Sequence, residues 1–217
     1  MNLLKRLQGL YLIVDPSIPQ QKLLAIVKRA LKGGVDILQL WSSSESTCQM
    51  TEIALSLLNL SNQGHVPLII NNNLQLAKEI GAHGVHMDQY DVTPLEIRKF
   101  LGKESIVGYT LGNDLERLKW AENVGADYVS FCAVFPTSSV SQCEIVPLES
   151  ITLAKSMAKI PVFASGGINL DNVCSVLEAG ADGIAVISAI LKARDPEQVA
   201  KSFKRIILEY VPQKNQS

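Results

Sequence analysis

The chain predicts a single α/β domain, a (β/α)8 TIM barrel, and three observations carry that expectation. Apolar strand-like runs alternate with stretches of helical apolar spacing along its length. A glycine-led pattern recurs as GGVDILQL at 33–40, GAHGVHM at 81–87, GADYVSF at 125–131 and GADGIAV at 180–186. The run PVFASGGIN at 161–169 is soon followed by GADGIAVISAIL at 180–191, which sets two strand ends carrying glycine and serine side by side. In the recurring pattern a helix stops at a glycine, and the β-branched residues that follow suit a strand buried on both faces. Each interval between copies leaves room for one further strand–helix unit.

The first strand is expected at Leu10–Val14, an apolar run ended by Asp15-Pro16. A helix over Gln21–Lys32 follows, with Leu23, Leu24, Ile26, Val27, Ala30 and Leu31 at helical spacing and glycines after it. Val35–Leu40 and Pro67–Ile70 read as the second and third strands, with a helix over Met50–Leu60 between them. Gly84–Met87, Ser105–Tyr109 and Tyr128–Ala133 read as strands four to six, with a helix over Asp114–Val124 before the last of these. Val162–Ala164 and Gly183–Ile187 complete the eight, and helices are expected at Pro147–Met157, Leu170–Ala179 and Pro196–Tyr210. Strict alternation with short connections implies a parallel sheet, and eight units with no long leftover segment imply closure.

Composition fits one globular domain over residues 1–217, with a short lead-in at 1–8 and a frayed polar tail at 211–217. Hydrophobic residues make up 47% and charged residues 19%, and a formal net charge of −1 gives no reason to expect nucleic acid or an acidic membrane as partner. The start MNLLKRLQGLYLIVDP has basic residues before an apolar run, but that run is too short for a signal peptide and lacks a small-residue cleavage site. No stretch is long enough to span a bilayer. Cys48, Cys132, Cys143 and Cys174 lack CxxC spacing, so neither zinc nor a disulfide framework is indicated and a reducing cytoplasm is the expected location. His65, His83 and His86 form no metal-binding constellation, and His83 and His86 read as one surface histidine and one satisfied histidine near the core.

The strand ends Ser165-Gly166-Gly167 and Ser188-Ala189 fall where a barrel carries its loops after strands seven and eight. Backbone N–H groups free of side chains, next to the positive end of a short helix, hold a phosphate there without any cationic side chain. The backbones of Gly166, Gly167 and Ile187–Ala189 are therefore expected to line one pocket for a small phosphorylated ligand.

The motifs GLYLIVD, GGVDILQL, PLIINN, GVHMDQYD, VGYT, GADYVSFCAVFPTSS, PVFASGGI and GADGIAVISAI, in this order and spacing, resemble thiamine phosphate synthase and its thiazole tautomerase sister branch. The resemblance covers nearly the whole chain and implies the same barrel. It implies transfer of an aminopyrimidine methyl group from pyrophosphate to a phosphorylated hydroxyethylthiazole, with Mg²⁺ and cations stabilising the leaving pyrophosphate. Gln39, Asn71 and Thr110, the last replacing a serine, match the pyrimidine-facing positions, and all three donate and accept hydrogen bonds. Thr137 and Ser139 match the hydroxyl pair of the thiazole-side loop, and Gly166, Gly167 and Ser188 match the monophosphate cradle.

The pyrophosphate side departs from the family. An Arg-x-Lys pair is replaced by Trp41-Ser42-Ser43, the Mg²⁺-binding Asp of strand three by Asn72, and the lysine of the FPTxT-type loop by Val140. The glycine of the GQED-like stretch is Asp88, and Asp91 alone is left of the two metal carboxylates. Asp88 and Asp91 read as solvated loop carboxylates more than as an acid–base pair. The tautomerase branch uses a histidine two residues beyond Thr110, where this chain has Gly112 and so no proton to offer. Three expectations stand: a synthase with a weakened pyrophosphate site, a weakly active or non-catalytic barrel binding thiamine phosphate or thiazole phosphate, and a barrel for another phosphorylated substrate with Trp41 as a stacking wall.

Overall fold

The computed structural model describes residues 7–41, 48–137 and 144–210. The elements run β1 (Gly9–Val14), α1 (Gln20–Lys32), β2 (Ile37–Leu40), α2 (Cys48–Gly64), β3 (Leu68–Asn71), α3 (Leu74–Ile80), β4 (Gly84–Met87) and α4 (Pro94–Leu101). The second half continues β5 (Ile106–Thr110), α5 (Glu116–Asn123), β6 (Tyr128–Cys132), α6 (Leu148–Met157), β7 (Val162–Ser165), α7 (Val173–Glu178), β8 (Gly183–Val186), α8 (Ser188–Leu191) and α9 (Pro196–Tyr210). The eight strands close in sequence order, all parallel, and β1 pairs with β8 in the register Gly9↔Gly183. The chain is a (β/α)8 TIM barrel. Among the described residues no helix is long and apolar enough to cross a membrane.

Successive strand residues point to opposite faces, so each strand feeds two separate cores. Leu10, Leu12, Leu38, Ile70, Val85, Val107, Val129 and Ile184 face outward and pack under the helices. Tyr11, Ile37, Ile69, Ile106, Tyr128, Phe163 and Ala185 face inward, together with Leu7, and fill the lower barrel. There the Tyr11 ring meets Phe163 edge-on at 5.6 Å, and Tyr128 meets the same ring at 5.4 Å. Above this plug the inward positions turn polar, with Gln39, Asn71, His86, Ser130 and Ser165 buried.

The glycine-led repeat also carries a clamp at the strand N-terminal face. Asp36 Oδ2 accepts the Leu10 N–H at 2.8 Å, Asp127 Oδ2 the Val107 N–H at 2.7 Å, and Asp182 Oδ2 the Val162 N–H at 2.8 Å. In the fourth copy His83 Nδ1 accepts the Leu68 N–H at 3.1 Å. The residue just before or at the start of one strand thus binds the backbone of the preceding strand, where the ladder would otherwise leave a donor unpaired. A helix-borne cation completes each acidic clamp: Lys204 on Asp36, Arg98 on Asp127 and Lys155 on Asp182, each at 2.6 Å. Burial raises the Asp127 carboxyl above its ordinary value, against the Val107 hydrogen bond and the Arg98 charge.

Close approach between the paired residues Gly108 of β5 and Tyr128 of β6 makes Gly108 a test of this packing. A Cβ there would lie 2.1 Å from Cζ of Tyr128. Gly108→Ala is expected to destabilise the protein by about 1–3 kcal/mol through overpacking. Urea unfolding checks this: the midpoint drops while the slope stays constant, and an unchanged midpoint contradicts the packing described.

Candidate functional site

The C-terminal ends of the strands open into one cavity of about 270 Å³. Gln39, Asn71 and Thr110, from the ends of β2, β3 and β5, line one wall, and Thr137, Gly166, Gly167, Ile187 and Ser188 line the other. Trp41, just past β2, also lines it. Ser139, Ser43 and Val140 lie outside the described residues. Asp91 is exposed and does not line the cavity.

The glycine loop is held by packing as well as by backbone freedom. Gly166 and Gly167 have φ of +90° and +68°, a region that side chains disfavour. A Cβ on Gly166 would meet Ala133 Cβ at 2.3 Å, and one on Gly167 would meet Pro136 O at 2.6 Å. The loop after β7 is thus pressed against the segment after β6, which brings Thr137 toward the same pocket.

The opposite wall is a closed circuit of side-chain hydrogen bonds. The Tyr11 hydroxyl donates to Gln39 Oε1 at 2.7 Å, Gln39 Nε2 to Asn71 Oδ1 at 2.7 Å, and Asn71 Nδ2 to Asp88 Oδ2 at 3.1 Å. Thr110 Oγ1 donates to Asp88 Oδ1 at 2.7 Å and stands 2.8 Å from His86 Nε2. His86 Nδ1 is 3.0 Å from the Tyr128 hydroxyl, which lies 2.9 Å from that of Tyr11. Asn72 locks onto Asp88 from outside, its Nδ2 donating to Asp88 Oδ2 at 2.6 Å and its Oδ1 accepting the Asp88 N–H at 2.8 Å.

Sequence reasoning missed His86, Tyr11, Tyr128 and the role of Asp88. His86 is a satisfied histidine, as expected, but it also lines the cavity. The period-two alternation of GVHM contained that signal, since Val85 faces the helices and His86 the lumen. Asp88 is not a free loop carboxylate beside Asp91: its side chain is 42% exposed and it accepts three side-chain hydrogen bonds. Burial pushes its carboxyl up, but the adjacent His86 and the donors Thr110, Asn71 and Asn72 outweigh this and hold it below its ordinary value. Burial pushes the His86 imidazole down to about 4, against the pull of Asp88. At neutral pH the circuit therefore joins a neutral imidazole to an ionised carboxylate.

Among the described residues, no lysine or arginine lines the cavity. Segments 42–47 and 138–143, which adjoin Trp41 and Thr137 in the chain, contain none either. The Mg²⁺ pair implied by the resemblance fits this donor set poorly. The Asn72 amide is neutral and committed on both atoms to Asp88, Asp88 already serves three donors, and Asp91 is exposed outside the cavity. Among the described residues no three His, Cys, Asp or Glu side chains group as metal ligands.

A family model described as thiamine monophosphate synthase matches residues 10–190. A thiamine-phosphate synthase of Nitrosococcus oceani is 38% identical over 200 residues, which is 92% of each chain. One of Methanobrevibacter smithii is 34% identical over 200 residues, covering 90% of this chain and 95% of that one. The solved thiamine phosphate pyrophosphorylase of Pyrococcus furiosus superposes with a TM-score of 0.83 at 33% identity, covering 95% of this chain and 98% of that chain. Both the match and the alignments span all eight strands nearly from end to end, so the likeness is of whole barrels: the chain belongs to the thiamine monophosphate synthase family.

Proposed function

We propose that the protein joins an aminopyrimidine methyl pyrophosphate to hydroxyethylthiazole phosphate, giving thiamine phosphate and pyrophosphate, at a rate lowered by its pyrophosphate side. Family membership supports the reaction, and the observation that carries it to this cavity is the pairing of an amide, hydroxyl and imidazole wall with the glycine loop opposite. In this reading Gln39, Asn71 and Thr110 hold the pyrimidine edge, and Gly166, Gly167, Ile187 and Ser188 hold the thiazole phosphate with Thr137 beside it. The bond from the pyrimidine methylene to the pyrophosphate oxygen breaks, its electrons leave with the oxygen, and the thiazole nitrogen pair forms the new bond to the methylene. Holding both reactants in line is the contribution these residues make. Neutralising the departing oxygen is what they lack, because Trp41, Ser43, Asn72 and Val140 carry no positive charge and bring no carboxylate for Mg²⁺.

Incubation with both substrates and Mg²⁺, with detection of thiamine phosphate, tests this directly. Slow formation of product is expected, and none at all overturns it. The missing cations favour one second reading, a barrel that binds thiamine phosphate or thiazole phosphate without turning over. The glycine loop is open to a separate check. Crystals soaked in phosphate are expected to show the anion against Gly166, Gly167 and Ser188, and Gly167→Ala is expected to weaken its binding roughly tenfold, the loss of about one charge-assisted hydrogen bond. An empty loop in an otherwise open crystal counts against the cradle.

A further inference from the structure

The circuit on the cavity wall is short of one hydrogen. Seven contacts join seven side chains. Asn71, Gln39, Tyr11, Tyr128 and Thr110 each direct one hydrogen along it, and a neutral imidazole directs one more. An ionised Asp88 brings none, so six hydrogens serve seven contacts. The amide orientations do not relieve this, because turning both amides only reverses the direction of donation and leaves an amide oxygen facing the carboxylate.

Where the gap sits follows from the Thr110 hydroxyl, which has a single hydrogen for two neighbours. Directed at Asp88, it leaves His86 one hydrogen for two contacts: placed on Nε2, that hydrogen leaves Tyr128 unable to serve both His86 Nδ1 and the Tyr11 oxygen, and placed on Nδ1, it leaves Nε2 facing the Thr110 oxygen. The gap then lies inside the wall, at one of the contacts of buried His86 and Tyr128. Directed at His86 Nε2, it lets every other contact carry one hydrogen, and the gap moves to Asp88 Oδ1. Asp88 is the ring member that reaches the solvent side of the cavity, with 42% of its side chain exposed. Burial disfavours a second proton on His86, and the donors around Asp88 disfavour one there.

We propose that Asp88 is the specificity-determining residue of this cavity: its Oδ1 receives the N–H of an exocyclic amine on a heteroaromatic ligand, while the Thr110 hydroxyl turns from Asp88 to His86. The ligand supplies the seventh hydrogen. A carbonyl oxygen in place of the amine faces the carboxylate oxygen instead and leaves the circuit unfilled. The choice of an aminopyrimidine as that heteroaromatic rests on the synthase reading; the missing hydrogen does not.

Calorimetric titration of the full chain with thiamine phosphate, and with the analogue whose pyrimidine amine is replaced by oxygen, tests the inference. The natural protein is expected to prefer the amine at least tenfold, about one hydrogen bond to a charged acceptor. Asp88→Gly is expected to bring the two ligands within roughly twofold of each other, and Asp88→Asn, whose amide offers a donor of its own, to favour the oxygen analogue. Far-UV circular dichroism and inorganic phosphate titration show that each variant keeps its fold and its glycine loop; if Asp88→Gly unfolds, the reversal in Asp88→Asn decides. Equal binding of the two ligands by the natural protein, or an amine preference that survives in a folded variant, overturns the assignment alone. Binding of neither ligand overturns it together with the synthase reading.

Discussion

Placing on the proposed pyrophosphate side the charges that the resemblance implies there, by Trp41→Arg, Ser43→Lys, Asn72→Asp and Val140→Lys together with Asp88→Gly, is expected to raise the rate of thiamine phosphate formation by about 10²–10³-fold or more. A single preorganised donor to a developing anion is worth about that much, and three cations and a metal carboxylate are being returned. The fifth change comes from the structure. Asn72 Nδ2 lies 2.6 Å from Asp88 Oδ2, so a second carboxylate at position 72 with Asp88 still in place sets two anions in contact. The four-substitution variant is accordingly expected to gain much less than the five-substitution one. Steady-state rates with saturating substrates and Mg²⁺ decide the matter, and a five-substitution variant no faster than the natural protein, or a natural protein already as fast as relatives with the full charge set, contradicts this account.

Cutting one clamp at the other end of the barrel is expected to have the largest effect on stability. Asp182→Ala removes the acceptor of the Val162 N–H and the partner of Lys155 in one step, at a site where the two side chains are only 15% and 26% exposed. Losing a largely buried charge pair costs about 3–5 kcal/mol, and partial solvent access brings the expectation to about 2–3 kcal/mol. For a domain of this size that lowers the melting temperature by roughly 4–12 °C. Lys201→Ala, which breaks the exposed pair with Glu197 on α9, is the control and is expected to fall within about 0.5 kcal/mol of the natural protein. Equal effects of the two substitutions would remove the clamp from the argument.

The order and type of the strands were legible because each is a short, largely apolar run with glycine or proline near its ends, a signal that survives without tertiary context. Their ends were less so. β3 extends to Asn71 and β5 to Thr110 because neighbouring strands pair with them, as Asn71↔His86 and Thr110↔Ser130, and nothing in the local sequence marks that pairing. β2 starts at Ile37 rather than Val35 because Asp36 turns its carboxylate to the Leu10 N–H. α7 begins at Val173 rather than Leu170 because Asn169 and Asn172 hold a turn, with Asn169 N–H on Asn172 Oδ1 and Asn172 Nδ2 on the Gly167 carbonyl. In the sequence the glycine-led repeat marks where helices stop; its acidic residues act on the strand before, a relation visible only once strands are neighbours.

The cavity divides the same way. Gln39, Asn71, Thr110 and the glycine loop stood out because they sit at strand ends and match a motif, and they line the cavity. Tyr11 and Tyr128 lie mid-strand among apolar residues, where a tyrosine reads as core. Their hydroxyls meet at the barrel axis although they are 117 residues apart in the chain. In the sequence Asp88 reads as one of a loop pair with Asp91, whereas its partners come from β3 and β5.

The aromatic plug beneath the circuit has a kinetic meaning. Tyr11, Tyr128 and Phe163 close the barrel from below, with Ile37, Ile69 and Ile106 packed around them and all six essentially without solvent access. Among the described residues the cavity is therefore closed at its floor. Two molecules held in it at different depths exchange in sequence, the deeper entering first and leaving last, and the shallower controls how long the deeper one stays. Release of whatever rests on the floor is then governed by what lies above it and not only by the atoms that recognise it.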